Sequence, residues 1–248
     1  DATTGVMRWM EERGRGFAIA GGVVPIVPAA VIFDLGPLGR FDARPTPAMA
    51  HAATDAAAST GVFEGSVGAG TGATVGKAAG IGHAMKGGVG CAERGSAGVW
   101  VAAVAVVNAF GDVRDGSGRI IAGARGADGR FLDVNRMLVD EPQQLAAMAA
   151  DQRIQNTTLG VVATNAALDR IQLSQLARAA GAALFHRITP AGSAFDGDVM
   201  FALGATQGID ASALHVEALA VAALEEAIER GVRLARGYPG FPGLADAS

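Results

Sequence analysis

Alternating strand-like and helix-like segments predict a layered α/β domain. Three observations carry that expectation. Val99 to Ala109 is a valine-rich run, dense in β-branched residues and too short to span a membrane. Further on, Ile171, Leu173, Leu176, Ala180, Leu184 and Ile188 recur on one helical face. Short hairpin turns and longer crossovers occur together, with no internal repeat.

In chain order, Asp1 to Arg13 has Val6, Met7 and Met10 at helical spacing and stops at Gly14 and Gly16, so the chain opens in mid-fold. Pro25 and Pro28 make the next stretch an extended loop and leave Ala29 to Asp34 as a strand. Thr46-Pro47 is a cap and first-turn pair that opens a helix through Ala58. Gly65 to Gly90 is loop-rich. After the valine-rich strand, Asp115-Gly116-Ser117-Gly118 turns the chain into a partner at Arg119 to Ala122. Arg125 to Asp140 shows neither period and reads as an exposed linker. A helix follows from Pro142 to about Gln152, then a strand from Asn156 to Asn165, with Asn165 capping the long helix. Asp198 to Leu203 is a further strand, and Ser212 opens a last helix bearing Leu214, Leu219, Val221, Leu224 and Ile228.

Composition narrows the function. The 248 residues are half hydrophobic, enough for a sizeable core, and the net charge of -4 without a basic run argues against nucleic acid as a partner. No run reaches membrane-span length, so no membrane partner is expected either. A small neutral or cationic substrate fits better. The single cysteine, Cys91, excludes an internal disulfide and is compatible with a reducing compartment, the cytoplasm by default. The four histidines are scattered without metal-ligand spacing, so no metal and no cofactor is expected.

Four local features carry possible chemistry. Gly68 to Lys77 is glycine-rich, but Thr71 and Ala78 stand where a phosphate loop needs glycine and a hydroxyl, so nucleotide binding is rejected. Such a backbone suits an active-site wall or a crowded turn. Lys77 and Lys86 are the only lysines; Lys77 among glycines is either desolvated with a shifted pKa or an ordinary surface lysine. Asp196-Gly197-Asp198 places both carboxylates on one face if extended, or is an Asp-Gly turn ahead of a strand. Cys91 is a candidate nucleophile or packed core. Lastly, breaking the Asn156-Thr157 bond would put a hydroxyl and a free α-amine on Thr157, a nucleophile with its own base; the same pair is also an ordinary strand start.

Gly22 to Leu35, Val67 to Ala73, Met85 to Gly90, Ala105 to Asn108, Asn156-Thr157-Thr158 and Phe195 to Asp198 together resemble, in order and over nearly the whole chain, the L-aminopeptidase/D-esterase family. That family includes β-peptide aminopeptidases and the endo-type nylon-oligomer (6-aminohexanoate oligomer) hydrolase. The resemblance implies a four-layer αββα sandwich similar to N-terminal nucleophile hydrolases, formed as one domain over 1–248. It implies self-cleavage between Asn156 and Thr157 into chains 1–156 and 157–248 that stay together, and assembly into a tetramer or larger. By position, Thr157 matches the nucleophile and Lys77 the lysine that the nylon-oligomer branch uses beside it. Asn108 matches an active-site asparagine suited to oxyanion stabilisation, and Asp196 and Asp198 the acidic pair that orients the nucleophile.

Two departures stand out. The peptidase branch has Gly-Ser at the cleavage point, whereas this chain has Asn-Thr, as the nylon-oligomer branch does. Phe33 stands where some members carry a pocket tyrosine, and it supplies no hydroxyl at that position. About a hundred family residues precede the helix that opens this chain, so it reads as a partial sequence. The expected function is self-processing hydrolysis of short peptides, amino acid amides or ω-amino acid oligomers. An ornithine-acetyltransferase-like acyl transferase and a non-catalytic binding protein of the same fold are the alternatives.

Overall fold

In the computed structural model the described residues are 1–36, 40–58, 61–149 and 156–247. They group into two compact units, Asp1–Val31 with Gly39–Val62, and Ile32–Leu38 with Phe63–Ser248.

The first unit holds helix α1 (Ala2–Glu12), a hairpin of β1 (Phe17–Ile19) and β2 (Gly22–Val24), and helix α2 (Pro47–Asp55). Thr46 caps α2 as expected, its hydroxyl accepting the Met49 N–H at 3.2 Å. The two helices pack together, and Asp55 joins them by accepting from the Trp9 indole N–H at 2.9 Å and from Arg13 at 2.7 Å. The strand expected over Ala29 to Asp34 does not form. The carbonyl of Phe33 instead accepts a side-chain donor from Asn108, so its hydrogen bond goes to a side chain and not to a ladder.

The second unit is built on a four-stranded sheet in the order β11-β9-β6-β5, formed by β5 (Val89–Ser96), β6 (Val99–Asn108), β9 (Thr157–Ala166) and β11 (Val199–Ile209). A short hairpin of β3 (Thr74–Val75) and β4 (Met85–Lys86) precedes it, and β7 (Asp112–Arg114), β8 (Ile120–Ala122) and β10 (Ile188–Thr189) make a separate three-stranded sheet. Strand β9 lies antiparallel to β6 and parallel to β11. Its burial alternates residue by residue, with Thr158 and Val162 turned inward. Val101, Ala103, Ala105 and Val107 of β6 share that inner face and pack with Val216, Ala220, Leu224 and Ala227 of helix α7 (Ala213–Arg233). The approach is close because one residue is glycine: a Cβ on Gly90 would stand 1.9 Å from the Ala227 carbonyl oxygen. Helices α5 (Arg170–Ala180) and α6 (Ala182–Arg187) complete this helical layer. The opposite sheet face carries Leu159, Val161 and Phe201, all half-buried, and an exposed Leu203.

Other expectations change as well. The turn at Asp115 to Gly118 joins β8 to β7, and the valine-rich strand pairs instead with β5 and β9. Arg125 to Asp140 is no linker. It turns back on itself through a bridge between Arg125 and Phe131 and then forms helix α3 (Val134–Asp140), capped by the Asp133 carboxylate, with Val134 and Met137 in a small second core. Asn165 caps no helix: it stays in β9 and reaches across to the Trp100 N–H and the Gly98 carbonyl, while Asp169 and Gln172 form the capping box of α5. The expected long helix breaks at Gly181, and Ile188 lies in β10. Strand β5 was not foreseen. Helix α4 (Pro142–Met148) forms as expected, although its expected end at Gln152 lies outside the described residues. Among the described residues no helix is long and apolar enough to cross a membrane.

Asp112 holds α3 in place. It is fully buried, and its two carboxylate oxygens accept the Ala124 and Val134 N–H groups, each at 2.8 Å. Burial pushes its pKa up to about 6 against those two bonds. Asp112→Asn turns an amide NH2 toward one of those N–H groups. It is expected to cost about 2 kcal/mol, read in thermal melts of the full-length protein as a drop of roughly 4–8 °C.

Candidate active site

The end of β6 and the start of β9 bring together two residues far apart in sequence, because the antiparallel register pairs Asn108 with Thr157. Asn108 is fully buried. Its side-chain oxygen accepts the Thr74 N–H at 3.1 Å and the Lys77 ammonium at 2.7 Å, and its amide NH2 donates to the Phe33 carbonyl at 3.4 Å. Lys77 donates a second bond to the Asn108 main-chain carbonyl at 3.1 Å. The asparagine thus ties β6 to the glycine-rich segment and to residue 33.

Both lysines are buried, each 1% exposed, which removes the surface-lysine alternative for Lys77 and equally for Lys86. Loss of hydration lowers the Lys77 pKa to about 7; the charges of Asp196 and Asp34 oppose that shift and Lys86 adds to it. A lysine in this state is a proton acceptor near neutral pH.

On the other side of Thr157 lies the segment 193–198. Asn156 bridges Asp196 in parallel fashion, and the Gly197 N–H donates to the Asn156 carbonyl oxygen at 2.8 Å. The Thr157 hydroxyl donates to that same oxygen at 2.6 Å, which sets Oγ beside the carbonyl it would have to attack. The oxygen therefore already has a main-chain donor placed for negative charge. Gly197 also makes room: a Cβ there would sit 3.0 Å from Thr157 Oγ. Thr158 points to the opposite face and is 1% exposed.

The acidic pair divides its tasks. Asp198 accepts the Thr158 N–H at 2.6 Å, one residue from the hydroxyl, and burial raises its pKa to about 6, with the charge of Asp196 adding to the rise and the N–H groups of Thr158 and Gly192 opposing it. Asp196 accepts from the N–H and hydroxyl of Ser193, at 2.9 and 2.7 Å, closing a turn whose other bond runs from its own N–H to the Ser193 carbonyl. In the uncut chain its carboxylate is therefore engaged with Ser193, while its charge acts on Lys77. Phe195 stacks on Phe110, centroids 5.5 Å apart, which fixes this segment against the residues that follow β6.

Thr157, Asn108, Lys77, Asp196, Asp198 and Asn156 are thus brought to one place, and Phe33 joins them through its carbonyl. Cys91 is half-buried on β5, and burial raises its thiol pKa, which disfavours the thiolate a nucleophile needs. No group of metal-ligating side chains occurs among the described residues. Two features are not legible in the sequence, the Gly197 donor and the burial of Lys86. The Gly197 N–H was hidden because a main-chain donor has no residue signature, and Lys86 because its burial follows from the fold of a hairpin.

The model of Peptidase family S58 matches residues 1–244. An uncharacterized aminopeptidase of Mycobacterium leprae is 43% identical over 219 residues, which cover 86% of this chain and 58% of that protein. A 6-aminohexanoate-oligomer endohydrolase of a Kocuria species is 30% identical over 213 residues, covering 80% of this chain and 57% of its own length. The chain thus spans less than two thirds of the length of these curated relatives. Among solved structures, the L-aminopeptidase D-Ala-esterase/amidase of Ochrobactrum anthropi, described as a new variant among the Ntn hydrolase fold, superposes with a TM-score of 0.64 at 23% identity. That superposition covers 97% of this chain and 65% of the other. The likeness gives this chain that fold, the sandwich class expected from its sequence, of which the second unit supplies a helical layer and a sheet. The chain belongs to peptidase family S58.

Proposed function

We propose that the full-length protein is a self-processing amide-bond hydrolase whose nucleophile is Thr157. The observation that carries this reading is the Thr157 hydroxyl 2.6 Å from the Asn156 carbonyl oxygen, an oxygen that also accepts the Gly197 N–H. Oγ attacks the Asn156 carbonyl carbon, its proton passing to a base; the C–N bond to Thr157 breaks as that nitrogen takes up a proton, leaving an ester on Oγ. Water hydrolyses the ester, freeing the Asn156 carboxylate and a Thr157 with both hydroxyl and α-amine. The freed amine then serves as base while Oγ attacks substrate amides. Lys77, with its pKa near 7, accepts a proton during processing and supports the same chemistry in turnover. Asp198 fixes the start of β9, and Phe33 lines the substrate side.

The substrate class is a short linear amide: a peptide, an amino acid amide or an ω-amino acid oligomer. The relatives named for aminopeptidase and 6-aminohexanoate-oligomer hydrolysis support it. The same reading keeps the two cleaved chains together and assembles processed protomers into a tetramer or larger in the cytoplasm.

The test uses full-length protein and a panel of these three amide types, with release of free amine as the readout. Asp198→Asn keeps an oxygen for the Thr158 N–H but removes the charge, and is expected to slow hydrolysis about tenfold or more while leaving the melting temperature within a few degrees. Asp196→Asn retains the turn on Ser193, since asparagine serves an Asx turn nearly as well. A rate loss there would report the charge facing Lys77. Full activity of both variants would remove the pair from the mechanism, and an inert wild-type protein on every substrate would favour the binding-protein alternative.

A further inference from the structure

Lys86 has no part in the chemistry above, yet it is 1% exposed and one of only two lysines in the chain. Its main chain pairs with Thr74 across the β3–β4 hairpin. Its side chain turns back over that hairpin, and the ammonium donates to the carbonyls of Thr71 and Ala73, at 2.8 Å each. The Ala73 carbonyl takes a second bond from the Gly87 N–H at 2.9 Å. Burying an ammonium against neutral carbonyls is costly, and an apolar side chain would fill the same space without that cost. The clamp holds the two carbonyls just ahead of Thr74, whose N–H and whose downstream neighbour Lys77 both bind the side-chain oxygen of Asn108.

We infer that Lys86 is a positioning residue for Lys77 and Asn108, pinning the glycine-rich segment so that Thr74 and Lys77 converge on one asparagine oxygen beside Thr157. The inference rests on the proposed role of Lys77. Charge supports the geometry. The charged groups acting on Lys77 are Asp196 and Asp34, which favour its proton, and Lys86, which disfavours it. The charge acting on Lys86 is Asp34, whose carboxylate packs over Gly72 in the same segment. A lysine at 86 therefore both holds Lys77 in place and keeps it ready to accept a proton near neutral pH.

The experiment compares wild type, Lys86→Met, Lys86→Arg and Lys86→Gln in the full-length protein. It reads kcat and KM across pH 5.5–9 and, independently of activity, follows the titration of Lys77 by NMR of 13Cε-labelled lysine, with the Lys77 signal identified by its loss in Lys77→Met. Lys86→Met is expected to lower kcat about tenfold or more, with KM changed less than threefold. It also moves the acid limb of the rate profile and the Lys77 titration to higher pH, because the like charge is gone. Lys86→Arg keeps the charge and the donors, and restores both midpoints. A folded Lys86→Met protein with kcat within twofold of wild type and an unmoved Lys77 titration overturns the inference, as does failure of all three variants to fold, which makes Lys86 purely structural. If wild type hydrolyses nothing, the proposed function fails on the rates, while the Lys77 titration still decides the role of Lys86.

Discussion

Thr157→Ala in the full-length protein is expected to leave one uncut chain and to lower amide hydrolysis by at least about a thousandfold, the scale seen when a nucleophile is removed. The hydroxyl that faces the Asn156 carbonyl oxygen at 2.6 Å is gone, and with it the atom proposed to take the acyl group. Thr158 cannot take over, because its side chain lies on the opposite strand face and is 1% exposed, opposite Val107 in the register. Thr157→Ser keeps an oxygen at the same position and is expected to process, more slowly for want of the β-methyl that restricts its rotamer. The alanine variant should fold: it loses one half-buried hydrogen bond, worth about 1 kcal/mol. Intact chain length on a denaturing gel, amine release and a thermal melt on one preparation separate a missing nucleophile from a damaged fold. Processing of the alanine variant at wild-type rate would place the nucleophile elsewhere.

Lys77→Met is expected to lower turnover by roughly a hundredfold or more, the usual scale for loss of a positioned proton acceptor. Its stability should hardly fall. The Lys77 pKa stands at about 7 in the folded chain against an ordinary 10.5, so between those values the folded protein binds fewer protons than the unfolded chain. The stability contribution of this lysine therefore improves as pH rises from 7 to 10.5, and below 7 its burial penalty is present in full. Methionine removes that penalty, on the order of a few kcal/mol, and loses the two bonds to Asn108. The melting temperature at pH 7 should stay within a few degrees of wild type, with the comparison shifting toward wild type by pH 10. Lys77→Arg holds its charge throughout and is expected to be as inactive as methionine at every pH. An active arginine variant would show that the charge matters and not the proton transfer. The wild-type rate should rise through about pH 7 as Lys77 loses its proton, with Asp198 ionising slightly below.

What could be read from the sequence was mostly local. Strand β9 shows as an unbroken run of β-branched and apolar residues, the last helix carries its period over 21 residues, and the Thr46-Pro47 cap states its own function. Strand β5 was lost because Val89-Gly90-Cys91-Ala92-Glu93-Arg94-Gly95-Ser96 has one β-branched residue and two glycines, and becomes a strand by pairing with β6. Helix α3 was lost because its signal is an aspartate in a left-handed conformation at φ 55 and a buried carboxylate 21 residues upstream, at Asp112. Asn165 looked like a cap because the side chain that caps helices also bonds to main-chain groups across a sheet. The site followed the same rule. Residue types and spacing drew attention to Thr157, Lys77 and the acidic pair, and the resemblance gathered them. Their convergence on Asn108 and the Asn156 carbonyl depends on register, on the clamp of Lys86 and on a glycine N–H, none of which the order of residues displays.

Whether the Asn156-Thr157 bond breaks by itself is read from the mass of the purified full-length protein. After incubation of folded protein without added protease, two masses are expected, one of them that of a chain beginning at Thr157. A single mass equal to the whole translated chain, from protein shown to be folded, would contradict self-cleavage.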